Sequence, residues 1–211
     1  MTYNEHFNIL FVCTANLCRS QLAELRFRQM LPTHSSIKVA SAGTRAVEGA
    51  RIPEKFRRVF EGFCIDEAVS SRLSSRLLTQ ADLVLTMTRG QRSEVVQVLP
   101  ESVNRTYTLP QFVNLAEQAV HLESALSAAI RSGDRWRVID AVNSLRGTSR
   151  GRRGAVEIPD PERGSSWRVT AVSKQITAFL DRLATILEAS ATGERTVQLT
   201  APGECQVSNV A

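Results

Sequence analysis

The sequence predicts an α/β fold in which helices cover both faces of a parallel β-sheet. Segments with the composition of buried strands alternate along the chain with segments whose apolar residues recur at helical spacing. The first strand segment, residues 7–13 (FNILFVC), is apolar at nearly every position, which is typical of a strand buried on both faces. Alternation of this kind favours a parallel sheet, and ligands bind such sheets beyond the carboxyl ends of the strands.

The helices and remaining strands follow in a regular order. A short polar loop leads from the first strand into a helix that begins at Arg19 and ends before Pro32. The other elements predicted for the N-terminal half are a strand at 37–43, a helix from Pro53 with Phe56, Val59, Phe60 and Phe63 on one face, a strand at 81–87, a helix at 90–99 and a short fourth strand at 105–112.

A helical block interrupts the alternation in the C-terminal half. Residues 114–131 and 134–146 have the pattern of a helical hairpin, and an arginine-rich loop follows them. We predict that the block 113–156 is a helical insertion within a single domain that spans residues 1–189.

The chain is predicted to end in one long helix and a tail. The helix covers residues 165–189 and must dock on the sheet, because a set of apolar residues recurs along it at helical spacing. These residues are Val172, Ile176, Phe179, Leu180, Leu183 and Leu187. Residues 190–211 have a weak pattern and a terminal position, so we predict that they are disordered.

Composition limits the classes of function. With 211 residues, 43% hydrophobic and 22% charged, the chain has the composition of one ordinary globular domain. No apolar run approaches the roughly 18 residues of a membrane span, and the N-terminal residues lack the shape of a signal peptide, so we expect a cytoplasmic protein with no membrane partner. The net charge of +5 is carried by residues 131–153, and no aromatic platform or recognition motif accompanies it, so we predict no nucleic-acid partner.

The cysteines and histidines do not form the spacings of a metal site. The chain has cysteines at 13, 18, 64 and 205 and histidines at 6, 34 and 121. Four scattered cysteines are too few for a disulfide scaffold, and no histidine pair offers zinc spacing. We therefore predict no metal and no cofactor.

The loop between the first strand and the first helix carries the strongest chemical signal. It consists of Cys13, Thr14, Ala15, Asn16, Leu17, Cys18, Arg19 and Ser20. A loop that leads into a helix N-terminus directs backbone N–H groups and the positive end of the helix dipole at its ligand, so it can hold a tetrahedral dianion. The same field favours the thiolate form of Cys13, and the fork of Arg19 can grip two phosphoryl oxygens. Ser20 can donate to the thiolate, and Asn16 can brace the turn.

A thiolate that cleaves a phosphate ester also needs an acid for the departing oxygen and a base for water. One carboxyl group can serve both steps, and Asp160 is the candidate, since Pro159 and Pro161 stiffen its loop. An Asp-Pro pair alone commonly only starts a turn, and a strand-end cysteine near an arginine is commonly structural. The combination of the two features favours catalysis.

These motifs together resemble the low-molecular-weight protein tyrosine phosphatase family. The resemblance is carried by ILFVCTANLCRSQLAE at 9–24, SAGT at 41–44, SSRL at 70–73, ADLVLTMTR at 81–89 and IPDP at 158–161. It spans residues 8 to about 187 apart from the helical block, and the motifs occur in the order of the family.

The resemblance implies a four-stranded parallel sheet flanked by helices and a complete set of site roles. Cys13 would be the nucleophile, Arg19 the phosphate clamp and Asp160 the acid and then the base, with Asn16 and Ser20 supporting the loop and no metal. Cys18 matches a second loop cysteine that often protects the nucleophile as a reversible disulfide in this family. The implied partner is a phosphorylated protein or a small phosphomonoester.

Departures from the family pattern bear on the substrate. Ala15 stands where the family usually has glycine, which would strain a turn that requires a positive φ angle, and Gln21 stands where it usually has proline. Members directed at tyrosine commonly place aromatic residues at the rim of the pocket, where this chain has Val47, Glu162 and Arg163.

Three functions remain open on the sequence alone. The main prediction is a protein-tyrosine phosphatase that works through a phosphocysteine. An arsenate reductase shares this loop, but Met87 stands where its intramolecular form needs a cysteine and Cys64 and Cys205 are poorly placed, so only a version that uses an external thiol remains. The third is a phosphate-binding module with weak turnover.

Overall fold

The protein forms one parallel β-sheet with helices on both faces. The computed structural model describes residues 6–63, 65–122, 134–146, 157–161 and 166–187. The strands are β1 (Phe7–Cys13), β2 (Ile37–Gly43), β3 (Leu83–Thr86) and β4 (Thr106–Thr108). They pair in parallel in the order β2-β1-β3-β4, which confirms the predicted four-stranded parallel α/β fold.

The strand order predicts a crevice at the carboxyl end of β1. The chain adds β2 on one side of β1 and then adds β3 and β4 on the other side. Loops that leave neighbouring strands in opposite directions open a crevice at such a switch point, and ligands of open α/β sheets bind there. The loop after β1 lies at this position.

Nine helical segments occur in the described residues. They are α1 (Arg19–Met30), α2 (Glu54–Arg57), a 3₁₀ turn (Arg58–Phe60), α3 (Ser75–Gln80), α4 (Arg89–Val98), a 3₁₀ turn (Pro100–Arg105), α5 (Leu109–Leu122), α6 (Arg135–Leu145) and α7 (Ser166–Leu187). No helix in the described ranges is both long enough and apolar enough to span a membrane.

Alternation along β1 separates two apolar cores. Phe7, Ile9 and Phe11 lie in the larger core, which contains the buried faces of α1, α5, α6 and α7. Leu10 and Val12 lie in the smaller core with one buried side chain each from α3 and α4. Successive strand residues point to opposite faces, so an apolar strand contributes to both cores.

The long C-terminal helix docks as its pattern predicts. All six apolar positions singled out in the sequence are buried in α7, and the observed bounds differ from the predicted 165–189 by a few residues. Arg182 of α7 also reaches α5, where its guanidinium donates to the Glu117 carboxylate at 2.6 Å and to Asn114 Oδ1 at 2.8 Å.

The fourth strand is shorter than predicted. Residues 105–112 were expected to be extended, but β4 ends at Thr108 and α5 begins at Leu109. The Thr108 hydroxyl accepts from the Gln111 backbone N–H at 3.2 Å, and Pro110 occupies the first turn of α5, where a missing N–H has no cost. The cap therefore makes the second half of the 105–112 segment helical.

The helical block is described only in part. α5 begins before the predicted start of the insertion at 113 and is described to Leu122, and α6 begins after the N-cap Asp134. Val138, Ile139 and Val142 of α6 lie in the larger core. Residues 123–133 and 147–156, the predicted tail at 190–211, Cys64 and Cys205 lie outside the described residues, so the domain boundaries remain predictions.

Candidate active site

The 13–20 loop joins the end of β1 to the start of α1. The Asn16 backbone N–H donates to Cys13 Sγ at 3.2 Å, and the Ser20 hydroxyl lies 3.0 Å from the same sulfur. Asn16 Nδ2 donates to Ser20 Oγ at 2.9 Å, and the Ser20 hydroxyl also lies 3.5 Å from the Ala42 carbonyl oxygen, to which it can donate. The Cys13 sulfur therefore accepts from one backbone N–H and lies within hydrogen-bond reach of one hydroxyl.

Asn16 anchors the loop to the rest of the sheet edge. It is 1% exposed; its Nδ2 donates to Ser41 Oγ at 2.8 Å and its Oδ1 accepts from the Ser71 backbone N–H at 2.7 Å. Asn16 has a φ of 53° and is the only described residue other than glycine with a positive φ. Asparagine tolerates this conformation well. Because the positive φ falls at Asn16 and not at Ala15, the strain expected at Ala15 does not arise.

Gly43, the last residue of β2, lies directly against the loop. A Cβ atom at this position would stand 2.6 Å from the Thr14 carbonyl oxygen and 2.8 Å from the Asn16 backbone nitrogen. The next two backbone N–H groups, of Thr44 and Arg45, donate to the carbonyl oxygens of Cys13 and Thr14. Only a residue without a side chain allows β2 and the loop to approach this closely.

Arg19 and Asp160 meet at the mouth of the loop. The Arg19 guanidinium, in a residue that is 4% exposed, donates to Asp160 Oδ2 at 2.6 Å and to the Ile158 carbonyl oxygen at 3.2 Å. The Asp160 side chain is 48% exposed. The predicted clamp and the predicted acid therefore lie together, with the carboxyl group facing solvent.

Cys18 lies beside the site in a different electrostatic environment. It is buried, and burial, together with the neighbouring Cys13, raises the pKa of its thiol to about 12. Cys13 and Cys18 are both free thiols. Cys18 is therefore a neutral thiol at neutral pH.

The segment from Met87 to Gln91, here termed the 87–91 segment, carries contacts that were not anticipated as functional. The buried Gln91 side chain accepts from the Met87 and Thr88 backbone N–H groups, each at 3.0 Å, and donates through Nε2 to Thr14 Oγ1 at 3.0 Å. Thr88 and Gln91 form a capping box at the start of α4. A capping box can be predicted from the T-x-x-Q spacing in the sequence, but the contact between Gln91 and Thr14 cannot.

The loop that carries Asp160 is anchored to the same segment. The Ile158 backbone N–H donates to the Met87 carbonyl oxygen at 2.8 Å, and Glu157 accepts from the Arg89 backbone N–H at 2.8 Å. Among the described residues, no group of three or more histidine, cysteine, aspartate or glutamate side chains is placed to share a metal ion.

The pocket rim lacks an aromatic wall at the one family position that is described. Val47 is 74% exposed, and Glu162 and Arg163 lie outside the described residues. Leu17, within the loop, is partly buried.

Comparison with known proteins identifies this arrangement. The family model for low molecular weight phosphotyrosine protein phosphatase matches residues 8–132, more than half of the chain. The chain belongs to this family. It is therefore a cysteine-dependent phosphatase, of a family that acts on phosphorylated proteins, and the resemblance in the sequence is confirmed.

Similar proteins are named either as arginine phosphatases or as tyrosine phosphatases. A protein-arginine-phosphatase of Geobacillus stearothermophilus is 38% identical over 110 residues, which cover 51% of this chain and 72% of the relative. The low molecular weight protein-tyrosine-phosphatase Ptp of Acinetobacter johnsonii is 35% identical over 104 residues, which cover 48% of this chain and 71% of the relative.

Solved structures agree with the sequence matches. The YwlE arginine phosphatase from Geobacillus stearothermophilus superposes with a TM-score of 0.61 at 28% identity, covering 87% of this chain and 94% of that one. The tyrosine phosphatase Wzb from Escherichia coli K30, in complex with sulphate, superposes with a TM-score of 0.59 at 25% identity, covering 85% and 96%.

Proposed function

We propose that this phosphatase hydrolyses phosphotyrosine in proteins through a covalent phosphocysteine at Cys13. The proposal rests on one observation: a buried sulfur that accepts a backbone N–H at 3.2 Å lies in the same loop as an arginine that holds a solvent-facing carboxyl group at 2.6 Å. The side chains that we propose as nucleophile, anion clamp and proton carrier are accordingly Cys13, Arg19 and Asp160.

In the first step the Cys13 thiolate attacks phosphorus. The sulfur–phosphorus bond forms as the bond from phosphorus to the tyrosine oxygen breaks, and protonated Asp160 donates its proton to the departing oxygen. Arg19 and the loop N–H groups hold the equatorial phosphoryl oxygens, on which charge is spread in the transition state. Arg19 also donates to Asp160 at 2.6 Å, so the residue proposed as anion clamp lies next to the residue proposed as proton carrier.

In the second step water replaces the sulfur. Asp160, now ionised, accepts a proton from a water molecule whose oxygen attacks phosphorus, and the sulfur–phosphorus bond breaks to return the Cys13 thiolate and inorganic phosphate. We assign Thr14, Ala15, Leu17 and Cys18 to the backbone of the phosphate loop, and Asn16 and Ser20 to its support. No metal or cofactor takes part in this scheme.

Phosphoarginine in proteins is a second candidate substrate. Two observations favour it: the similarity to proteins named as arginine phosphatases, and the absence of an aromatic side chain at Val47. The same two steps apply, with the phosphorus–nitrogen bond broken and the guanidine nitrogen protonated by Asp160. For phosphotyrosine, Trp167 is the aromatic residue nearest to Asp160 in sequence, and its side chain is 68% exposed.

The substrate experiment compares two peptides of one sequence that carry phosphotyrosine or phosphoarginine. The proposal expects the higher kcat/KM for the phosphotyrosine peptide, measured as released phosphate. Cys13→Ser should abolish release from both peptides, with Cys18→Ser as the matched control that retains it. A higher kcat/KM for the phosphoarginine peptide would show that phosphoarginine, and not phosphotyrosine, is the substrate. Full activity in Cys13→Ser would rule out a covalent intermediate at Cys13.

An arsenate reductase that uses an external thiol, or a weak phosphate-binding module, would give other results. Met87 is completely buried at the end of β3, and a methionine cannot relay a disulfide. Arsenate-dependent oxidation of an external thiol without hydrolysis of an aryl phosphate would establish the reductase. Phosphate binding without either reaction would establish the module.

We further propose that Cys18 protects the nucleophile in the cytoplasm. Peroxide would convert the Cys13 thiolate to a sulfenic acid, and the Cys18 thiol would then form a disulfide with it and release water. Such a cycle needs a compartment that reduces disulfides, as the cytoplasm does. Activity lost to mild peroxide should return with added thiol in the parent protein and return less in Cys18→Ser, and equal recovery in both would contradict this role.

A further inference from the structure

The phosphate loop and the acid loop are both fastened to the 87–91 segment. On one side, Gln91 Nε2 donates to Thr14 Oγ1 at 3.0 Å. On the other side, the Met87 carbonyl oxygen accepts from the Ile158 backbone N–H at 2.8 Å. The segment thus lies between the residue that follows Cys13 and the residue two positions before Asp160.

Gln91 is held so that only one orientation of its amide fits. Its Oε1 accepts from the Met87 and Thr88 backbone N–H groups, both at 3.0 Å, so its nitrogen must face Thr14. The residue is 5% exposed, and a buried amide of this kind loses far more from an unmade hydrogen bond than an exposed one. The Thr14 hydroxyl therefore meets a donor whose position is set by two backbone groups.

We propose that Gln91 is a positioning residue of this phosphatase, which acts through Thr14 to hold the phosphate loop in its anion-binding shape and in register with the acid loop. The inference rests on the proposed function, because it takes Thr14 to belong to a loop that binds phosphate. The Gln91 side chain does not touch the substrate. It fixes the first residue after the nucleophile, and a loop that must align several N–H groups with one dianion tolerates little displacement.

Two substitutions separate the donor of Gln91 from its acceptor. Gln91→Met keeps the length of the side chain and removes all three hydrogen bonds. Gln91→Glu keeps an oxygen for the Met87 and Thr88 N–H groups, and thus the start of α4, but it can keep the contact with Thr14 only by accepting from the Thr14 hydroxyl, which reverses the donor and adds a negative charge beside the loop. We expect inhibition by orthovanadate, a mimic of the transferred phosphoryl group, to weaken about tenfold in both variants, and kcat/KM for para-nitrophenyl phosphate to fall with it.

A matched control separates positioning from loss of stability. Val95→Ala removes a completely buried side chain from the same helix, in the smaller core. It should lower Tm at least as much as Gln91→Met and leave the vanadate inhibition constant unchanged. Equal weakening of vanadate inhibition in Val95→Ala and Gln91→Met would reduce Gln91 to a structural residue and overturn the proposal.

Thr14→Val tests the path of the effect and excludes the new charge of Gln91→Glu as its cause. In the Thr14→Val background Gln91→Met should weaken vanadate inhibition little further, because the contact is already lost. Fully additive losses would show that Gln91 does not act through Thr14. If the parent protein neither hydrolyses para-nitrophenyl phosphate nor binds vanadate, the proposed function fails, whereas a parent that does both and variants that match it defeat this inference alone.

Discussion

Asp160→Asn tests the proton carrier most directly, because the structure separates its effect on rate from its effect on stability. General acid catalysis contributes about a hundredfold to ten-thousandfold to rate, so kcat for phenyl phosphate should fall by about that factor. The loss should be at least about an order of magnitude smaller for para-nitrophenyl phosphate, whose leaving group needs less help from an acid.

The free energy of unfolding should change little in the same variant. The Asp160 side chain is 48% exposed, so its ion pair with Arg19 is partly screened by solvent. An amide oxygen in place of the carboxylate can still accept from Arg19, which also keeps its hydrogen bond to the Ile158 carbonyl oxygen. We therefore expect a loss within about 1 kcal/mol, measured by urea unfolding.

Steady-state rates with the two esters and a matched control decide the outcome. Asp181→Asn removes an exposed carboxylate from α7 and should leave both rates unchanged. Equal losses for the two esters in Asp160→Asn would mean that Asp160 does not protonate the leaving group. A loss of stability large enough to unfold the variant would mean that the ion pair is structural.

Three further predictions follow from the geometry of the loop and the packing of the helices. Because burial raises the pKa of Cys18 to about 12, iodoacetamide at neutral pH should alkylate Cys13 and spare Cys18. Peptide mapping by mass spectrometry measures the labelling of each thiol, and equal labelling would contradict the expected difference in reactivity. Gly43→Ala should destabilise the protein by about 1–3 kcal/mol and abolish most activity, because the new Cβ would stand 2.6 Å from the Thr14 carbonyl oxygen. Gly90→Ala is the control: its Cβ would meet nothing closer than 3.8 Å, so the variant should keep its stability and its activity. Arg182 of α7 lowers the pKa of the Glu117 carboxyl group, so this carboxylate contributes stability above its unfolded-state pKa and loses the contribution as pH falls through its folded-state pKa. Glu117→Gln should therefore lower the free energy of unfolding by less than about 1 kcal/mol at neutral pH and not at all in acid. A loss of stability that persists in acid would refute the ion pair.

The parts of the site that are continuous in sequence were legible without the structure. Residues 13–20 lie between an apolar strand and an amphipathic helix, and local pattern is enough to predict both. The buried face of α7 followed from its helical spacing in the same way. Local pattern gave the wrong result at residues 105–112, which were predicted to form one strand. The strand ends at Thr108, whose side chain caps the start of α5, so the rest of the segment is helical.

Residue type and short-range spacing were enough to predict the parallel α/β architecture, and they carry the predictions of Cys13 as the nucleophile and of Asp160 as the acid. The three-dimensional fold was needed to show which distant residues meet: Asp160 contacts Arg19 across 141 positions, and Gln91 contacts Thr14 across 77. It also decided that the positive φ falls at Asn16 rather than at Ala15. Sequence patterns missed these contacts because they depend on the order of strands in the sheet and on the close approach of β2 to the loop, and the spacing of neighbouring residues encodes neither.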